Sequence, residues 1–349
     1  MHYLASSDIR RLLERLHSSS NVFIPYTNND NNHFFVKNWT QEDTQSGSFV
    51  FNAYRTSLPF TKWLLNPPVS ITAQYTLGAV FTKAADKTQI IFGVKACDLS
   101  GKKVLDAVLL KGDYVDLLYK KQSENSIIIS GDCKEALPSC FCTLVGNKPY
   151  PEEGYDINMS PITGGFIFES GSEKGNTIIK DNHDLFTVVS KNRIAERDRQ
   201  RERLIEILKN QNQVYGTGKS RKEIIERNLA APIWHDVSRT CVECNNCNYV
   251  CPTCYCFYLY DQKHNGNNER IKVWDSCFHA GYARMAGGLT PRLHLVDRFK
   301  NHYYHKFDSF VTNFGFEACS GCGRCIESCM GGIDKREVLK SLEKFVVLK

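Results

Sequence analysis

The sequence predicts an α+β protein in which an N-terminal α/β domain is followed by a mostly helical, cysteine-rich C-terminal domain. Three observations support this fold class. Strand-sized apolar runs alternate with helical patterns in the first half of the chain, a charged helix-prone stretch lies in the middle, and eleven of the fifteen cysteines follow residue 240. We expect the α/β domain to span 1–190, a charged helical linker to span 191–230, and the C-terminal domain to span 231–349.

Hydrophobic spacing predicts the elements of the first domain. An apolar stripe with helical spacing predicts a first helix over Ser6–His17. Strands at Val22–Tyr26 and His33–Lys37 are separated by an Asn/Asp-rich turn at 28–32. The later predicted elements are a buried strand at Ile90–Val94, helices at Leu99–Leu110 and Tyr114–Lys121, a strand at Ser126–Ser130 and a β-meander over 150–185.

The linker is dominated by a helix-prone stretch over Lys191–Asn210. Acidic and basic residues are interspersed along it. This pattern favours a solvated connecting helix over a basic arm that binds nucleic acid.

The cysteines are interpreted as metal ligands. The N-terminus lacks a basic segment followed by an apolar one, so we expect a cytoplasmic protein, and disulfides are rare in that compartment. The longest apolar runs are strand-sized, far short of the roughly 20 residues that a membrane-spanning helix needs. We therefore expect no membrane insertion.

Two cysteine runs share one spacing, Cys-x2-Cys-x2-Cys-x3-Cys. This is the ligand run of bacterial ferredoxins, in which three cysteines hold one [4Fe-4S] cluster and the fourth reaches the other cluster. The C-terminal domain is therefore predicted to be ferredoxin-like, with a 67-residue insert (252–318) between the runs that we expect to form helices. The predicted ligands are Cys241, Cys244, Cys247 and Cys329 for cluster I, and Cys319, Cys322, Cys325 and Cys251 for cluster II.

Structural zinc is the main alternative, because Cys-x2-Cys pairs also build zinc ribbons. Zinc would leave the third and fourth cysteines of each run unexplained. The net charge agrees with clusters: the formal value is +6, each cluster with four thiolates carries about −2, and +6 − 4 leaves about +2. One departure from the ferredoxin pattern is Met330, which stands where Pro252 follows the first run.

Four further cysteines are candidates for a third [4Fe-4S] cluster. Cys97 follows the strand Ile90–Val94 and Cys133 follows the strand Ser126–Ser130. If those strands are parallel neighbours, both residues emerge at the same edge of the sheet. The candidate ligands are Cys97, Cys133, Cys140 and Cys142, with Asp98 as a possible oxygen ligand. Buried packing cysteines remain the alternative, as they do for Cys254, Cys256 and Cys277.

Several segments together resemble a known family. They are Phe92–Leu99 (Phe-Gly-Val-Lys-Ala-Cys-Asp-Leu), Cys140-Phe141-Cys142, Cys251–Cys256 (Cys-Pro-Thr-Cys-Tyr-Cys), Trp274–Cys277 (Trp-Asp-Ser-Cys) and Tyr54-Arg55-Thr56 with Leu58-Pro59. Over about residues 50–330 the chain resembles beta subunits of cytoplasmic sulfhydrogenases, which are NAD(P)-linked [NiFe]-hydrogenases, and the related 4Fe-4S dicluster subunit of anaerobic sulfite reductase.

The resemblance implies an electron-transfer subunit rather than an independent catalyst. Its expected partners are a flavoprotein subunit with FAD, a [2Fe-2S] cluster and an NAD(P)H site, and a catalytic subunit of the [NiFe]-hydrogenase or sulfite/sulfur reductase type. The sequence shows no dinucleotide fingerprint of its own, which agrees with a relay. Two alternatives remain: a catalytic iron–sulfur/thiol subunit similar to heterodisulfide reductases, and an interaction protein whose basic insert binds nucleic acid.

Overall fold

The strands form two sheets in the residues that the computed structural model describes, which are 1–27, 34–40, 49–65, 69–71, 87–264 and 267–345. The Asn/Asp-rich turn predicted at 28–32 lies outside these residues. The strands are β1 His2–Ala5, β2 Asn21–Thr27, β3 Phe34–Asn38, β4 Val69–Ile71, β5 Gln89–Val94, β6 Ser126–Gly131, β7 Ile157–Ile162, β8 Gly165–Ser170, β9 Phe186–Val188, β10 Phe257–His264 and β11 Asn267–Trp274.

Thirteen α-helical segments accompany the strands in the described residues. They are α1 Ile9–Ser19, α2 Phe60–Leu65, α3 Ala96–Leu109, α4 Leu117–Glu124, α5 Glu173–Asp181, α6 Lys191–Asn212, α7 Arg221–Arg227, α8 Ile233–Ser238, α9 Asn246–Tyr249, α10 Leu295–Tyr304, α11 Phe310–Phe314, α12 Arg324–Glu327 and α13 Lys335–Lys344. A π-helical turn, His305–Ser309, joins α10 to α11. No helix of the described residues is long and apolar enough to cross a bilayer.

The larger sheet has eight strands in the order β3-β2-β5-β6-β7-β8-β1-β9. Its four central strands, β2, β5, β6 and β7, are parallel, whereas the outer pairs are antiparallel. All six residues of β5 are buried, as expected for a central parallel strand covered on both faces. The parallel pairing of β5 with β6, on which the third-site prediction depended, is confirmed.

The predicted helices and strands of this half form with small shifts. The stripe Ile9, Leu12, Leu13 and Leu16 is buried against the sheet. Helix α4 begins three residues later than predicted, because the Asp116 side chain accepts a hydrogen bond from Tyr119 N and caps the helix there. The segment predicted as a β-meander is one hairpin, β7–β8, followed by helix α5.

The insert differs from its prediction. We expected helices throughout, but it begins with the hairpin β10–β11, whose second strand pairs with β4 from the first half of the chain. Helices α10 and α11 follow only after this three-stranded sheet. The insert therefore contributes a sheet that connects the two halves of the chain.

Helix α6 covers the helix-prone first part of the predicted linker and packs on the structure instead of standing free. Leu204 and Leu208 are buried beside Cys142. Arg201 forms an ion pair with Asp132 at 2.7 Å, just before Cys133. The opposite face carries the exposed charges that the interspersed pattern predicted.

Candidate iron–sulfur sites

The two cysteine runs fold into loops of the same shape. Each loop places two residues in the left-handed region, one just before and one just after its second cysteine. In the first run these are Glu243 (φ 54°) and Asn245 (φ 63°), and in the second they are Gly321 (φ 67°) and Gly323 (φ 74°). Such backbone is rare for residues other than glycine. Its repetition at matching positions indicates that both sequences fold around the same kind of object.

Each loop then enters a single helical turn that carries its third cysteine. These turns are α9 in the first run and α12 in the second. In both, the fourth cysteine donates its backbone N–H to the residue three positions earlier: Cys251 to Asn248 O and Cys329 to Ile326 O. The turns lie side by side, since Asn246 Nδ2 donates to Ser328 O at 3.2 Å. The two runs are thus related by an internal repeat.

A cavity at the first run is lined by the four cysteines predicted for cluster I: Cys241, Cys244, Cys247 and Cys329. Cys325 of the second run also lines it. Cys244 is the exposed member of the set, and Ile333 donates its backbone N–H to Cys329 Sγ at 3.3 Å. Met330, which replaces the proline of the pattern, points into solvent with 74% of its surface exposed.

Cys251 lies with the second run, although it belongs to the first. Its charge acts on Cys319 and Cys325. Lys306 Nζ donates to Cys251 Sγ at 3.4 Å, and Thr253 Oγ1 lies 3.1 Å from the same sulfur. A hydrogen bond from the Cys254 thiol lowers the pKa of Cys251 well below its usual value, with further help from Lys306. This is the exchanged position that the ferredoxin spacing predicts for the fourth cysteine.

Most of the other thiols in these runs are costly to ionise without a metal. Burial raises the pKa of Cys247 to about 12 and that of Cys319 to about 11, and it raises the pKa of Cys325 further. Thiolate ligands bound to iron would remove this cost. Within the described ranges, no three His, Cys, Asp or Glu side chains converge tightly enough to bind a single metal ion. The donor sets of four cysteines each fit a four-iron cluster.

The four cysteines proposed for a third site line one cavity. Cys97 lies in the first turn of α3, Cys133 follows β6, and Cys140 and Cys142 lie on the loop after it. They meet at the carboxyl edge of the parallel strands, as the sequence predicted. Burial raises the pKa of Cys133 to about 12 and raises that of Cys97, Cys140 and Cys142 as well.

Two buried cations accompany these thiols. Arg55 is 3% exposed and donates to Ser139 Oγ and to the carbonyl oxygen of Cys322. Lys95 is fully buried, donates to Asp132 O at 3.0 Å and lies 4.2 Å from the centre of the Phe51 ring. Burial lowers the pKa of Lys95 to about 8, although the neighbouring thiols oppose this shift. Positive charge here complements the roughly −2 charge of a four-thiolate cluster.

Asp98 is not available as the oxygen ligand that we considered. Its two carboxylate oxygens accept from Arg324, at 2.6 and 2.9 Å, and both side chains are at most 2% exposed. The Arg324 guanidinium belongs to the second cysteine run and forms a bidentate ion pair with the carboxylate. Asp98 therefore joins the two halves of the chain, and the candidate third site has four cysteines as its donors.

The loop that carries Cys140 and Cys142, which we call the third-site loop, packs directly against the second cysteine run. A Cβ on Gly321 would lie 2.5 Å from Cys142 Cα, and one on Gly323 would lie 2.2 Å from Ser139 O. Phe141 N also donates to Gly321 O at 2.8 Å. Glycine is needed at these positions both for the left-handed backbone and for the close approach.

Sequence reasoning missed the buried basic residues around the cysteines. Arg55, Lys95 and Lys306 were not proposed as functional, although all three lie beside candidate ligands. Arg55 and Lys95 stand inside segments that carried the family resemblance, which was an available signal. Lys306 lies 55 residues after Cys251 in the sequence and had no such signal.

The fold and the twin loops define a class of protein. The family described as a 4Fe-4S dicluster domain matches residues 240–333, which contain both cysteine runs. The C-terminal region is accordingly a 4Fe-4S dicluster domain. A domain of this kind supports the prediction of two [4Fe-4S] clusters.

A more specific relationship comes from a whole-chain comparison. The chain is similar to the Sulfhydrogenase 2 subunit beta of Pyrococcus furiosus, with 29% identity over 296 residues. The match covers 84% of this chain and 85% of the relative. It confirms the resemblance to sulfhydrogenase beta subunits inferred from the motifs, and it supports an iron–sulfur electron-transfer subunit.

Proposed function

We propose that this chain is the cytoplasmic electron-transfer subunit of a multi-subunit oxidoreductase. It relays electrons between a flavoprotein subunit, with FAD, a [2Fe-2S] cluster and an NAD(P)H site, and a catalytic subunit of the [NiFe]-hydrogenase or sulfite/sulfur reductase type. The observation that carries this proposal is the row of three adjoining cysteine sites. The similarity to a protein named as the beta subunit of a sulfhydrogenase supports a role within a larger complex.

The three sites adjoin in a fixed order. The third site meets the second run where the Cys140 thiol lies 3.8 Å from Cys322 O. The second site meets the first at Cys251 and Cys247, since the charge of Cys251 helps to raise the pKa of Cys247. Cys244 of the first site is exposed. The proposed electron path therefore leads from the sheet edge, through cluster II, to cluster I at the surface.

Each proposed cluster would be held by its four cysteines and would accept and release one electron at a time. The protein's own contribution is to bury the sulfurs and to direct N–H and ammonium groups at them. Lys306 does this at Cys251, and the backbone of Ile333 does it at Cys329. Such contacts tune a cluster's potential.

Iron analysis of anaerobically purified, fully loaded chain tests the proposal. Three clusters require about twelve iron atoms per chain and two require about eight. We expect about twelve, bleaching of the visible absorbance by dithionite, and no oxidation of NAD(P)H by the isolated chain. A value near eight would show that the chain holds no third cluster. Rapid NADH oxidation by the chain alone would contradict the relay.

A catalytic iron–sulfur/thiol subunit, similar to heterodisulfide reductases, is the second candidate. The specific observation that favours it is a group of three cysteines outside the twelve proposed ligands, Cys254, Cys256 and Cys277. Cys254 lies beside Cys251, Cys256 interacts with Cys277, and Asn248 contacts both Cys254 and Cys277. An EPR signal that appears only after a thiol or disulfide substrate is added would distinguish this function from a pure relay.

A further inference from the structure

The hairpin β10–β11 brings two of these three cysteines together. Phe257 at the start of β10 pairs with Trp274 at the end of β11, and Asp275 N then donates to Cys256 O at 3.1 Å. Cys256 precedes one strand and Cys277 follows the other, so both lie at the open end of the hairpin. Residues that are 21 positions apart in sequence are therefore neighbours in the structure, and the Cys277 thiol acts as a hydrogen-bond donor to Cys256.

Cys256 has the environment of a thiolate. Its sulfur accepts hydrogen bonds from the Cys277 thiol, from the Tyr282 hydroxyl and from the backbone N–H of Cys277. These donors lower the pKa of Cys256 to about 6, despite its burial, with a contribution from Lys306. An environment that stabilises the thiolate raises the fraction of nucleophilic sulfur at neutral pH.

Cys277 has the opposite environment. It is 9% exposed, and its pKa is raised by the hydrogen bond that its thiol donates to Cys256 and by burial. Asn248, which is 2% exposed, donates to Cys277 Sγ at 3.2 Å and to Ser276 Oγ at 2.8 Å. Its Oδ1 faces the Cys254 thiol at 3.5 Å. The Asn248 amide thus fixes the buried partner of the pair and separates it from Cys254.

Cys256 is also the accessible member. It is partly exposed and lines a cavity of about 20 Å³ together with Lys62, Lys272 and Trp274. That volume holds about one water molecule. The cavity therefore brings solvent to Cys256, which lines it, and not to Cys277, which does not.

We propose that Cys256 and Cys277 form a redox-active dithiol that reduces low-molecular-weight disulfides by thiol–disulfide exchange. Cys256 is the attacking sulfur, because it is accessible and receives the hydrogen bonds. Cys277 is the resolving sulfur, because it is buried and in contact with Cys256. The chain then carries a two-electron site beside its proposed one-electron clusters.

The exchange balances without another reagent. The Cys256 thiolate attacks one sulfur of R–S–S–R, the substrate's S–S bond breaks, and one RS⁻ leaves. Cys277 sulfur then attacks Cys256 sulfur and the second RS⁻ leaves, while the Cys277 proton passes to a released thiolate. The substrate gains two electrons and becomes RS⁻ and RSH, and Cys256 and Cys277 lose two electrons and become one disulfide.

The location suggests the reductant that would regenerate the dithiol. Cys254 contacts Asn248 on one side and Cys251, a proposed ligand of cluster II, on the other. Reduction by two successive electrons from that cluster, with uptake of two protons, would restore both thiols. This regeneration step rests on the proposed function, whereas the exchange reaction does not.

Peptide mapping of the iron-loaded full chain tests the proposal. The chain is equilibrated anaerobically in buffers of reduced and oxidised glutathione, quenched in acid, alkylated and digested. We expect a peptide that links Cys256 to Cys277 and whose formation follows a two-electron dependence, a tenfold change for about 30 mV. Absence of this peptide in every buffer, or a link from Cys254 to Cys256 instead, would overturn the proposal.

Two variants separate the roles of the two sulfurs. Cys277→Ser should trap glutathione on Cys256 as a stable mixed disulfide, because the resolving sulfur is missing. Cys256→Ser should trap none on Cys277. Cys254→Ser serves as the matched control and should retain the link between Cys256 and Cys277. Glutathione trapped equally in both single variants would contradict the assigned roles.

Iron content distinguishes a failure of this inference from a failure of the proposed function. Cys256→Ser and Cys277→Ser should keep the iron content of the unaltered chain. A loss of about four iron atoms in either variant would identify that cysteine as a cluster ligand and end the dithiol proposal. Unaltered chain without iron would instead refute the relay, and the mapped peptide would still decide the dithiol question.

Discussion

Lys306 is a buried residue whose ammonium contacts the sulfur of Cys251 and whose charge also acts on the neighbouring thiols. Its ammonium donates to Cys251 Sγ at 3.4 Å, to Thr253 Oγ1 at 2.8 Å and to Ala318 O at 3.2 Å. Burial opposes its charge, but the thiols of Cys251 and its neighbours raise the pKa of Lys306 well above the usual value. It lies in the π-helical turn His305–Ser309, a local distortion that is frequent at functional sites.

Substitution Lys306→Met should lower the reduction potential of cluster II. A positive donor on a ligand sulfur stabilises the reduced, more negative cluster, so its removal favours the oxidised state. A charge-assisted hydrogen bond contributes about 1.5 kcal/mol, which corresponds to a decrease of about 65 mV for a one-electron couple. An EPR-monitored redox titration measures the shift. Lys103→Met, at an exposed ion pair with Glu153, is the control and should leave the potential unchanged.

The reactivity of Cys256 should depend on pH in a defined direction. With its pKa lowered to about 6, the sulfur is mostly thiolate at pH 7 and mostly thiol at pH 5. Its alkylation by iodoacetamide should therefore be roughly tenfold slower at pH 5 than at pH 7. Mass spectrometry of the modified peptide gives the rate. The titratable groups around this sulfur are Lys62, Tyr249, Tyr255, Cys277, Tyr282 and Lys306.

Tyr282→Phe tests the cause of that pH dependence. It removes one of the three donors to Cys256, so the alkylation profile should move to higher pH. A profile identical to that of the unaltered chain would show that the hydroxyl does not stabilise the thiolate.

At the scale of elements, the second cysteine loop and the third-site loop depend on one another through two glycines. Gly323→Ala places a Cβ 2.2 Å from Ser139 O at a position with φ of 74°. The left-handed backbone alone costs about 1–2 kcal/mol with a side chain, and the clash adds to it. We expect a lower unfolding temperature and loss of iron, measured by thermal unfolding and iron analysis under anaerobic conditions.

Gly315→Ala is the matched control for that substitution. Gly315 has φ of 80° and nothing within 4 Å of the added Cβ, so only the backbone cost remains. The iron content should be retained in this variant. If Gly323→Ala and Gly315→Ala behave alike, the contact between the loops contributes nothing to the sites.

Patterns of local residues predicted some elements well and others poorly. The apolar run Ile90–Val94 identified a central strand, and the position of Cys97 and Cys133 after two such strands placed both at one sheet edge. The hairpin β10–β11 was missed because the basic and aromatic residues farther along the insert suggested helices throughout. The alternating aromatic run Phe257–Tyr260 and the dipeptide Asn265-Gly266 were hairpin signals in the sequence.

Contacts between distant residues could not be predicted in the same way. Asp98 follows Cys97 directly, which suggested a ligand, but its partner Arg324 lies 226 residues away. Likewise, nothing near Lys306 in the sequence indicates that its ammonium reaches Cys251. Periodicity and spacing report on neighbours along the chain, whereas pairs of buried charges are determined by how the two halves pack.

At the scale of the whole molecule, the Asp98–Arg324 pair joins the first half of the chain to the 4Fe-4S dicluster domain. Arg324 lies between Cys322 and Cys325, and Asp98 lies beside Cys97, so the pair connects two candidate sites directly. Arg324 Nε also donates to Thr56 O at 2.8 Å. Arg55 makes a parallel connection, since it contacts Ser139 and forms an ion pair with Glu327 at 2.7 Å.

Arg324→Met should destabilise the whole chain. It leaves the Asp98 carboxylate buried without a partner, which costs about 3–5 kcal/mol. The unfolding temperature of the anaerobic, iron-loaded protein should therefore fall by several degrees. Arg227→Met is the control, because Arg227 forms an ion pair with Glu223 at an exposed position on one helix, where such pairs contribute little.

A double variant separates the cost of an unpaired charge from a requirement for the pair itself. Asp98→Leu combined with Arg324→Met removes both charges, and apolar replacements of a buried ion pair are often neutral or stabilising. We expect the double variant to recover most of the unfolding temperature lost in Arg324→Met. If it recovers stability but its iron content stays below that of the unaltered chain, the pair positions the two cysteine sites. If neither recovers, the connection between the two halves of the chain requires the ion pair itself.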